Sequence, residues 1–406
     1  MSTLSERILG ASAGEFVDRK VDRAYAHDGT GVLALEAWRQ MGAALEADPA
    51  RLHIVFDHIA PANTSTTASL QAELREFAAA SGIHFAEIGS GICHQVMSEG
   101  YAYPGEIVVG ADSHTCTLGA FGAFATGVGA TDMAAIWASG CTWFRVPETI
   151  AVHLTGTLRG AAEAKDLALA YVAELGMDGA TYRALEFVGG GAAGISMDGR
   201  LTVCNMAVEC GAKTGLFYAD AVTRRHLHLF GHDAEPQERE DADYAQEIDL
   251  ELDAIPPLIA VPHRVDTVKE VEALAGTSID QVFVGTCTNG RYEDLRRFAR
   301  MVRGKRVAVR TVVVPASRRV LERLIREGLL LHIVQAGCAI GPPGCGPCLG
   351  AHMGVIGEGE VCLSTANRNF RNRMGVGGEI YLGSVATAAA SALAGEIATA
   401  EADDAR

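Results

Sequence analysis

Short apolar runs that end in polar loops recur along the chain, and an amphipathic helical pattern follows most of them. The runs are "RLHIVFDH" at 51–58, "EIVVGADSHT" at 106–115, "QVFVGTCTNG" at 281–290, "KRVAVRTVVVPAS" at 305–317 and "LHIVQAGC" at 331–338. Buried strands that alternate with amphipathic helices indicate α/β layers. In such folds the polar loops at the carboxyl ends of the strands usually hold the ligands, so functional residues are expected there.

The composition indicates a compact globular chain that stays inside the cell. The 406 residues are enough for two or three domains, and 49% of them are hydrophobic. The net charge of −16 disfavours a nucleic-acid surface, which needs clustered Lys and Arg. The N-terminus has no secretory signal, and the Ala-rich stretch at 384–400 is typical of a packed helix rather than a membrane span. We therefore expect a cytoplasmic protein whose ten cysteines stay reduced.

Two positions are predicted domain boundaries. The segment "VPETI" at 146–150 leads into a new apolar strand, "AVHLTGTL". Between 231 and 260 the chain is acidic and contains prolines, which is typical of a connection between domains. We predict three α/β/α domains with boundaries near 148 and 262, covering 1–148, 149–262 and 263–406.

Three cysteines lie in predicted loops. Cys345 and Cys348 belong to the Gly- and Pro-rich segment "AIGPPGCGPCLG", in which neither a helix nor an interior strand is expected. Cys287 lies in "FVGTCTNGR", just before a helix whose positive dipole end favours a thiolate. Three thiols are an incomplete set for a four-thiolate zinc or iron–sulfur site. Cys338 would be the fourth ligand, although a core thiol at the end of a strand is the favoured interpretation, and a redox dithiol of Cys345 and Cys348 also stays open.

A second group of candidate residues is rich in His and Asp. They are Asp57 and His58 of "FDHIAPANT", His94 of "GICHQV", and Asp112, Ser113 and His114 of "GADSHT". Each segment lies at or just after a short apolar strand, so side chains from three segments can converge. Asp–His pairs tune imidazole rings for proton transfer or for metal ligation, and the sequence leaves both roles open.

A third group of candidate residues lies in the loop "STANRNFRNRMG" at 364–375. It carries Asn367, Arg368, Asn369, Arg371 and Arg373. In an acidic chain this concentration of donors favours an anionic ligand, and carboxylates match it well.

The Gly-rich segment "GAFGAFATGVGATDMA" at 119–134 has spacing that resembles a phosphate loop. It lacks the GKS or GKT ending that such a loop requires. We therefore attribute its glycines to close packing of a helix.

Taken together, these segments resemble the aconitase superfamily, most closely its 3-isopropylmalate dehydratase and homoaconitase large-subunit type. The matching motifs follow the family order along nearly the whole chain. They are "HDGTG", "DHIAPANT", "GICHQV", "GADSHT", "GAFGAFATGVGATDMA", "DGATYRALEF", "CNMAVECGAKTG", "GTCTNGRYEDLR", "PGCGPCLGAHMG" and "STANRNFRNRMG". The resemblance implies an aconitase-like α/β fold, with three α/β/α domains around a central iron–sulfur cluster.

The resemblance also implies one [4Fe–4S] cluster per chain, held by Cys287, Cys345 and Cys348. One iron would then have no protein ligand, which accounts for the missing fourth cysteine. That iron would act as a Lewis acid on the hydroxyl and carboxylate of the substrate. The implied enzyme is a hydro-lyase that isomerises a hydroxy-di- or tricarboxylate by dehydration and rehydration.

Further site residues follow from the same resemblance. The implied catalytic groups are three pairs: Asp57 with His58, which protonates the leaving hydroxyl, and His94 with Asp112 and His114 with Glu186, which line the cluster. The implied substrate-binding groups are Arg368 and Arg373 for the carboxylates, Asn367 beside the cluster, and Ser113 in support. The loop departs from the family at Asn372, where relatives commonly have Gly.

Single-chain aconitases carry a swivelling fourth domain that supplies a serine base. This chain ends at "EADDAR" without room for that domain, so we expect a separate small subunit, in a heterodimer or heterotetramer, and an active site that is complete only with it. The chain alone is expected to be inactive.

Several substrates and one other class of function stay open at this point. 3-Isopropylmalate leads, which would place the enzyme in leucine biosynthesis, and homoaconitase or a dimethylmalate- or methylmalate-type dehydratase follows. A cluster-free RNA-binding regulator is disfavoured by the acidic composition. We expect neither a nucleic-acid nor a membrane partner.

Overall fold

Strands and helices alternate along the chain in the computed structural model, which describes residues 2–239 and 242–401. The strands are β1 (Phe16–Lys20), β2 (Arg23–His27), β3 (Leu52–Val55), β4 (His84–Ala86), β5 (Ile107–Gly110), β6 (Phe124–Gly127), β7 (Cys141–Arg145), β8 (Thr149–Thr155), β9 (Ala184–Val188), β10 (Thr214–Phe217), β11 (Gln246–Glu251), β12 (Leu258–Ala260), β13 (Val268–Glu270), β14 (Gln281–Val284), β15 (Arg310–Val313), β16 (Ala339–Ile340), β17 (Val361–Ser364) and β18 (Glu379–Gly383). The helices are α1 (Leu4–Leu9), α2 (Asp28–Met41), α3 (Ser65–Ser81), α4 (Cys93–Ser98), α5 (Ala130–Ser139), α6 (Ala164–Leu175), α7 (Met197–Asn205), α8 (Ala221–His228), α9 (Thr286–Asn289), α10 (Tyr292–Val302), α11 (Arg318–Arg326), α12 (Leu329–Gln335) and α13 (Val385–Ala394).

The contacts within the chain divide it into two units. Unit 1 comprises Met1–Leu154 and Asp178–Leu250, and unit 2 comprises Thr155–Met177 and Glu251–Arg406. The division into three domains near 148 and 262 stays a prediction. Residues 240–241 of the predicted connection and 402–406 of the predicted last domain lie outside the described residues.

Unit 1 is built on a five-stranded sheet in the order β4-β3-β2-β5-β6, in which neighbouring strands are parallel. The chain adds β3 and β4 on one side of β2 and then β5 and β6 on the other, so the order reverses beside β2. In open α/β sheets the crevice at such a reversal, at the carboxyl ends of the strands, is the usual ligand site. Helices α2, α3 and α5 contribute to the core beside this sheet, where the Phe77 ring lies 5.2 Å from both Trp38 and Trp137.

Two further sheets complete unit 1. The first has the order β10-β9-β8-β11, with β8, β9 and β10 parallel, and it carries Glu186 on its buried strand β9. The second is the antiparallel pair of β1 and β7.

Unit 2 is built on a seven-stranded sheet in the order β13-β12-β18-β17-β14-β15-β16. Strand β14 pairs in parallel with β15 on one side and with β17 on the other, so the strand order reverses beside β14. Helices α10 and α13 pack against this sheet, and their apolar residues form one core with it. The ends of β14 and β17 are therefore the expected ligand positions in this unit.

One predicted strand is wrong. The run "LHIVQAGC" belongs to helix α12, which follows Gly328 in the left-handed conformation. Ile333 is buried in the core, whereas Leu331 is 57% and Val334 50% exposed. Burial of one residue in three or four is the helical period, which a short apolar run does not distinguish from a strand.

The Gly-rich segment allows a close approach at Gly127, although the approach is of a strand to a turn rather than of a helix. A Cβ on Gly127 would lie 2.7 Å from the backbone oxygen of Asp112, so only glycine lets β6 approach the turn after β5. None of the helices in the described part of the chain combines the length and the apolar character that a membrane span requires.

Candidate functional site

The predicted His and Asp residues lie together at the carboxyl ends of neighbouring parallel strands of unit 1. We call this group the imidazole network; its members are His27 at the end of β2, Asp57 and His58 after β3, His94 in α4, Asp112 and His114 after β5, and Glu209. Strand β2 pairs with both β3 and β5, so three strand ends open at the place where the strand order reverses. Sheet topology, rather than sequence proximity, therefore brings these side chains together.

The carboxylate of Asp28 holds the turn that carries the first pair of the network. Its Oδ1 accepts hydrogen bonds from the backbone N–H groups of Asp57 at 3.2 Å and His58 at 2.9 Å. Its Oδ2 accepts from the backbone N–H of Ile59 at 2.8 Å and from Gln71 Nε2 at 3.2 Å. The turn is thus fixed by a buried acceptor, which the sequence analysis did not identify although it noted the motif "HDGTG".

Asp57 and His58 form a charged pair. His58 Nδ1 lies 2.7 Å from Asp57 Oδ1, and the other oxygen of Asp57 accepts from the backbone N–H of Cys93 at 2.7 Å. Burial alone would raise the pKa of Asp57, but the neighbouring His58 outweighs it and lowers that pKa. Burial alone would lower the pKa of His58, but Asp57 and Asp112 outweigh it and hold the pKa well above its ordinary value. His58 is therefore held as a buried imidazolium, which is a proton donor.

The carboxylate of Asp112 is the centre of the imidazole network. Its Oδ1 lies 2.9 Å from His94 Nε2 and accepts a hydrogen bond from the backbone N–H of His114 at 2.8 Å. Its Oδ2 lies 3.5 Å from His58 Nε2 and 3.6 Å from His27 Nε2. Burial alone would raise the pKa of Asp112, but the imidazole rings of His94, His114 and His58 keep it well below its ordinary value. An ionised carboxylate among four imidazole rings can hold protons on those rings and orient them.

His27, a member of the network, and Tyr25, which adjoins it, are two residues for which no role was predicted from the sequence. The His27 ring stacks on the His58 ring with centroids 3.6 Å apart, and burial together with the charge of His58 lowers the pKa of His27 to about 4. The Tyr25 hydroxyl lies 2.7 Å from His94 Nδ1, which leaves both ring nitrogens of His94 engaged. Because these rings and carboxylates bind one another, proton transfer is favoured over metal ligation for this group.

The predicted pairing of His114 with Glu186 is wrong. His114 Nε2 lies 2.9 Å from Glu209 Oε1, and both side chains are buried. Glu186 is committed elsewhere in unit 1, because its Oε1 accepts from the backbone N–H of Leu4 at 2.6 Å and its Oε2 from the Tyr218 hydroxyl at 3.0 Å. Burial raises the pKa of Glu186. Both glutamates lie in matching motifs, "DGATYRALEF" and "CNMAVECGAKTG", and only the folded chain distinguishes them.

The predicted substrate ligand Ser113 is half-buried at the edge of the network. It is the first residue of the 3₁₀ turn after β5, and its Oγ lies 3.5 Å from His114 Nδ1. This distance is at the limit of a hydrogen bond, so Ser113 contacts the network without being fixed by it.

The three cysteines predicted as ligands all lie in unit 2, shortly after the ends of strands. Cys287 lies in the short helix α9, and Cys348 lies in a 3₁₀ turn in the segment where no helix was expected. Cys287 follows β14, and Cys345 and Cys348 follow β16; their exposures are 7%, 7% and 3%. Thr286, directly before Cys287, has a φ of 75°, in the left-handed region that a β-branched residue rarely adopts. Such strain persists where the surrounding structure imposes it, and it is typical of functional turns.

The loop of Cys345 and Cys348 packs closely against the loop at 364–375, which we call the arginine loop. Gly350 has a φ of 68°, and a Cβ there would collide with the backbone oxygen of Arg373. Glycine is therefore required where the two loops meet, as the Gly-rich composition of this segment suggests.

N–H donors of the arginine loop reach the sulfur atoms. Asn367 Nδ2 donates to Cys287 Sγ at 3.6 Å, and Cys348 Sγ lies 4.0 Å from Asn367 Oδ1. Arg373 Nη2 donates to Cys348 Sγ at 3.8 Å. Asn367 is 1% exposed, so one buried amide links two of the cysteines.

The other members of the arginine loop are placed differently. Arg368 is half-buried and Arg371 is exposed. Asn369 Nδ2 donates to the backbone oxygen of Val261 at 2.9 Å, which fixes the loop to unit 2. Asn372 has a φ of 65°, a conformation that Asn and Gly both tolerate, so the departure from the family motif leaves the backbone unstrained.

These residues fit an iron–sulfur cluster. Three buried thiols can bind such a cluster, and N–H donors such as those at the sulfurs of Cys287 and Cys348 tune it. All ten cysteines are free, and Cys338 lies in the hydrophobic core of unit 2. Burial raises the pKa of the Cys338 thiol to about 12, which disfavours the thiolate that a fourth ligand must provide.

Known proteins and a family model are similar to this chain. The model described as "Aconitase family (aconitate hydratase)" matches residues 6–277 and 267–395. A probable methanogen homoaconitase large subunit from Methanosarcina mazei is 54% identical over 383 residues, 93% of this chain and 97% of that protein. The 3-isopropylmalate dehydratase large subunit 1 from Methanopyrus kandleri is 46% identical over 408 residues, 97% of this chain and 98% of that protein.

The similarity extends to a solved structure. The holo-form of aconitase X from Thermococcus kodakaraensis matches with a TM-score of 0.53, over 89% of this chain and 86% of that chain. Its sequence identity is 15%, so it bears on the fold alone. The prediction of an aconitase-like α/β fold is confirmed.

Proposed function

The chain belongs to the aconitase family, and we propose that it is the cluster-bearing large subunit of an enzyme that converts 2-isopropylmalate to 3-isopropylmalate. Family membership makes the chain a hydro-lyase and implies an iron–sulfur cluster. The similarity to the Methanopyrus kandleri protein supports isopropylmalate as the substrate and a place in leucine biosynthesis.

The observation that carries this proposal is the position of His58 between two carboxylates. Loss of water from a hydroxy acid needs an acid that protonates the departing hydroxyl. His58 is held as an imidazolium by Asp57 on Nδ1, which leaves Nε2, 3.5 Å from Asp112, as the nitrogen that gives up the proton. In the hydration direction the same nitrogen takes the proton back.

The remaining imidazole pairs would hold and orient the water or hydroxyl that is exchanged. His94 is bound between Asp112 and Tyr25, and His114 between Asp112 and Glu209. We assign Glu209, in place of Glu186, as the acidic partner of His114. Glu186 would then serve the packing of unit 1 rather than proton transfer.

Cys287, Cys345 and Cys348 are proposed to hold one [4Fe–4S] cluster in which one iron has no protein ligand. When bound, that iron supplies Lewis acidity toward the hydroxyl and a carboxylate of the substrate. Asn367 and Arg373 would donate hydrogen bonds to the cysteine sulfurs, as they do in the structure.

Arg368 and Arg373 are proposed to bind the carboxylates of the substrate. A guanidinium group offers a planar fork of donors that matches a carboxylate. Asn367 would hold the cluster side of this site and Ser113 would add a hydroxyl donor.

A separate small subunit is proposed as the partner, in a heterodimer or heterotetramer. Both relatives are named large subunits, which supports a complementary chain. The small subunit would supply the base that removes the proton from carbon and would read the variable side group of the substrate.

A second candidate function is homoaconitase. The 54% identity with the Methanosarcina mazei protein favours it. A dimethylmalate- or methylmalate-type dehydratase is a further outcome of the substrate test, without an observation of its own.

The test is anaerobic purification followed by assay with candidate small subunits. We expect a brown protein with about four irons and four sulfides per chain. Mixed with its small subunit, it should turn over 2-isopropylmalate, whereas homocitrate-type and dimethylmalate substrates should react slowly. The chain alone should be inactive.

Three outcomes would contradict parts of the proposal. A colourless native protein loaded with zinc would exclude the cluster. Faster turnover of homocitrate-type substrates would favour homoaconitase. Turnover by the chain free of any small subunit would exclude the two-subunit active site.

A further inference from the structure

Lys165, near the start of α6, is a completely buried cation without a carboxylate partner among the described residues. Its exposure is 0%, and its Nζ donates to the backbone oxygens of Thr365 at 3.0 Å and Ala366 at 2.5 Å. The neighbouring carboxylate of Asp166 instead accepts from the backbone N–H groups of Glu163 and Leu258, each at 2.7 Å. A buried charge is costly unless something nearby compensates it, so the surroundings of Nζ need an explanation.

The two carbonyl groups that Lys165 binds lie directly before Asn367. They belong to the segment that leaves β17, and Asn367 is the residue whose amide reaches Cys287 and Cys348. Lys165 therefore fixes the chain at the point from which that amide extends.

The same segment is tied to the turn of Cys287. Gly285 donates its backbone N–H to Thr365 Oγ1 at 3.0 Å, and that hydroxyl donates to the Gly285 oxygen at 3.1 Å. The ends of β14 and β17 are thus joined by a reciprocal pair of hydrogen bonds beneath the cysteine.

A second buried cation holds the Cys287 turn from its other end. Arg291 is 1% exposed, and its guanidinium donates to the backbone oxygens of Thr288, at 2.6 Å, and of Cys287. Two buried cations therefore bind four carbonyl groups in the two segments that carry Cys287 and Asn367.

The charges around Lys165 also indicate a role beside the cysteines. Burial lowers the pKa of Lys165 to about 8, and the negative groups that oppose this shift include the thiols of Cys287 and Cys348 together with Asp166 and Asp294. An iron–sulfur cluster with thiolate ligands carries net negative charge, and charge near a cluster sets its reduction potential. A fixed positive charge near the cysteines would stabilise the reduced form more than the oxidised form.

We infer that Lys165 and Arg291 are positioning residues of the cluster site, which hold the Cys287 and Asn367 turns and compensate the negative charge of the thiolate-bound cluster. This inference rests on the proposed function, because it requires that the three cysteines bind a cluster. It assigns a role to two residues for which the sequence motifs indicate none.

The experiment compares Lys165→Met, which removes the charge and both hydrogen bonds, with Lys165→Arg, which keeps a cationic donor. The matched control is Lys269→Met, which removes an exposed charge from the same unit. In the anaerobically reconstituted protein we expect Lys165→Met to disfavour the reduced cluster about tenfold, a potential lower by about 59 mV. Lys165→Arg should recover most of this shift, and Lys269→Met should leave the potential unchanged because water and salt screen an exposed charge.

The second readout uses the chain without a cluster. Hydrogen exchange of the backbone amides of residues 365–368 and 286–289 should be faster in Lys165→Met than in the wild type, because the segments lose their anchor. Lys165→Gln, which keeps a donor but no charge, replaces Lys165→Met if that variant does not fold. It should lower the potential while leaving most of the exchange protection.

Unchanged potential and unchanged exchange in a folded Lys165→Met or Lys165→Gln variant would overturn the inference. A lowered potential that Lys165→Arg recovers supports it. Failure of the wild-type chain to bind any cluster would contradict the proposed function, whereas the exchange measurement would still test whether Lys165 holds the two turns.

Discussion

The imidazole network of unit 1 and the cysteine loops of unit 2 use their hydrogen-bonding capacity in opposite ways. In the network, rings and carboxylates bind each other, as with His58 to Asp57 and His114 to Glu209, each within 3 Å. Around Cys287 and Cys348, side-chain N–H donors reach the sulfurs, and buried cations hold the carbonyl groups behind them. The first group can hold and pass protons without any addition, whereas the second is arranged to receive something negatively charged.

This difference separates two kinds of functional failure. A change in unit 1 should damage proton transfer while leaving metal content intact. A change at the cysteines should abolish metal binding while leaving the protonation of the network intact. The predictions below test that separation.

The largest effect is expected from Cys345→Ala. Loss of one of three thiolates should prevent stable cluster binding and abolish activity in the presence of the small subunit. Iron and sulfide per chain, measured after anaerobic gel filtration, are the readout. Cys338→Ala is the matched control, since it removes a buried thiol from the core of the same unit, and its iron content should equal that of the wild type. Full iron content in Cys345→Ala would contradict the assigned ligands.

His58→Gln should lower kcat by about 10²–10⁴-fold, because it removes the imidazolium that is proposed to protonate the leaving hydroxyl. The iron content should not change. His153→Gln is the control, since His153 is a half-buried histidine of the same unit that binds Glu247 outside the network. If His58→Gln lost its iron along with its activity, the separation between the two groups would be wrong.

The same contrast explains which parts of the site could be predicted from the sequence. The residues at the strand ends could be predicted, because Asp57, Asp112 and Cys287 directly follow apolar runs, and strand pairing brings such ends together. The partner of His114 could not be predicted, because Glu209 lies 95 residues away and Glu186 occupies a similar motif. The role of Lys165 could not be predicted for the same reason, since it lies 200 residues from Thr365, whose carbonyl it binds.

The prediction of secondary structure from the sequence is also limited where tertiary contacts decide the outcome. The apolar run that became α12 fits a strand and a helix equally well, and only the burial of Ile333 against the core decides between them. The strands beside the site were predictable, because each short run ends in a turn rich in Gly or polar residues.

A titrating histidine outside the network gives a pH test of unit 1. His53 stacks on His84 with centroids 4.9 Å apart, and burial together with the charges of His84 and Arg23 lowers its pKa to about 3. The unfolded chain has a pKa of about 6.5 for His, so it binds the proton more readily. The stability from the neutral ring is complete above about pH 6.5 and is lost as the pH falls toward 3.

Between about pH 6 and pH 4, the free energy of unfolding should therefore fall less in His53→Phe than in the wild type, as measured by urea titration. His58 acts in the opposite direction, because its raised pKa stabilises the fold at low pH and that contribution is lost as the pH rises through the folded-state value. An identical pH dependence in His53→Phe and the wild type would mean that folding does not shift the pKa of His53.

The smallest effect concerns Asn372, which lies between Arg371 and Arg373 in the arginine loop. Its φ of 65° is tolerated by Asn and Gly, and its Oδ1 accepts from the backbone N–H of Gly377 at 3.0 Å. Asn372→Ala should lower the free energy of unfolding by about 1–2 kcal/mol, because a Cβ-bearing residue without a polar side chain is strained there. Asn372→Gly avoids the strain of the alanine variant but loses the side-chain hydrogen bond, so its cost should stay below about 1 kcal/mol. Equal losses in the two variants would show that the hydrogen bond, rather than the backbone conformation, selects the residue at this position.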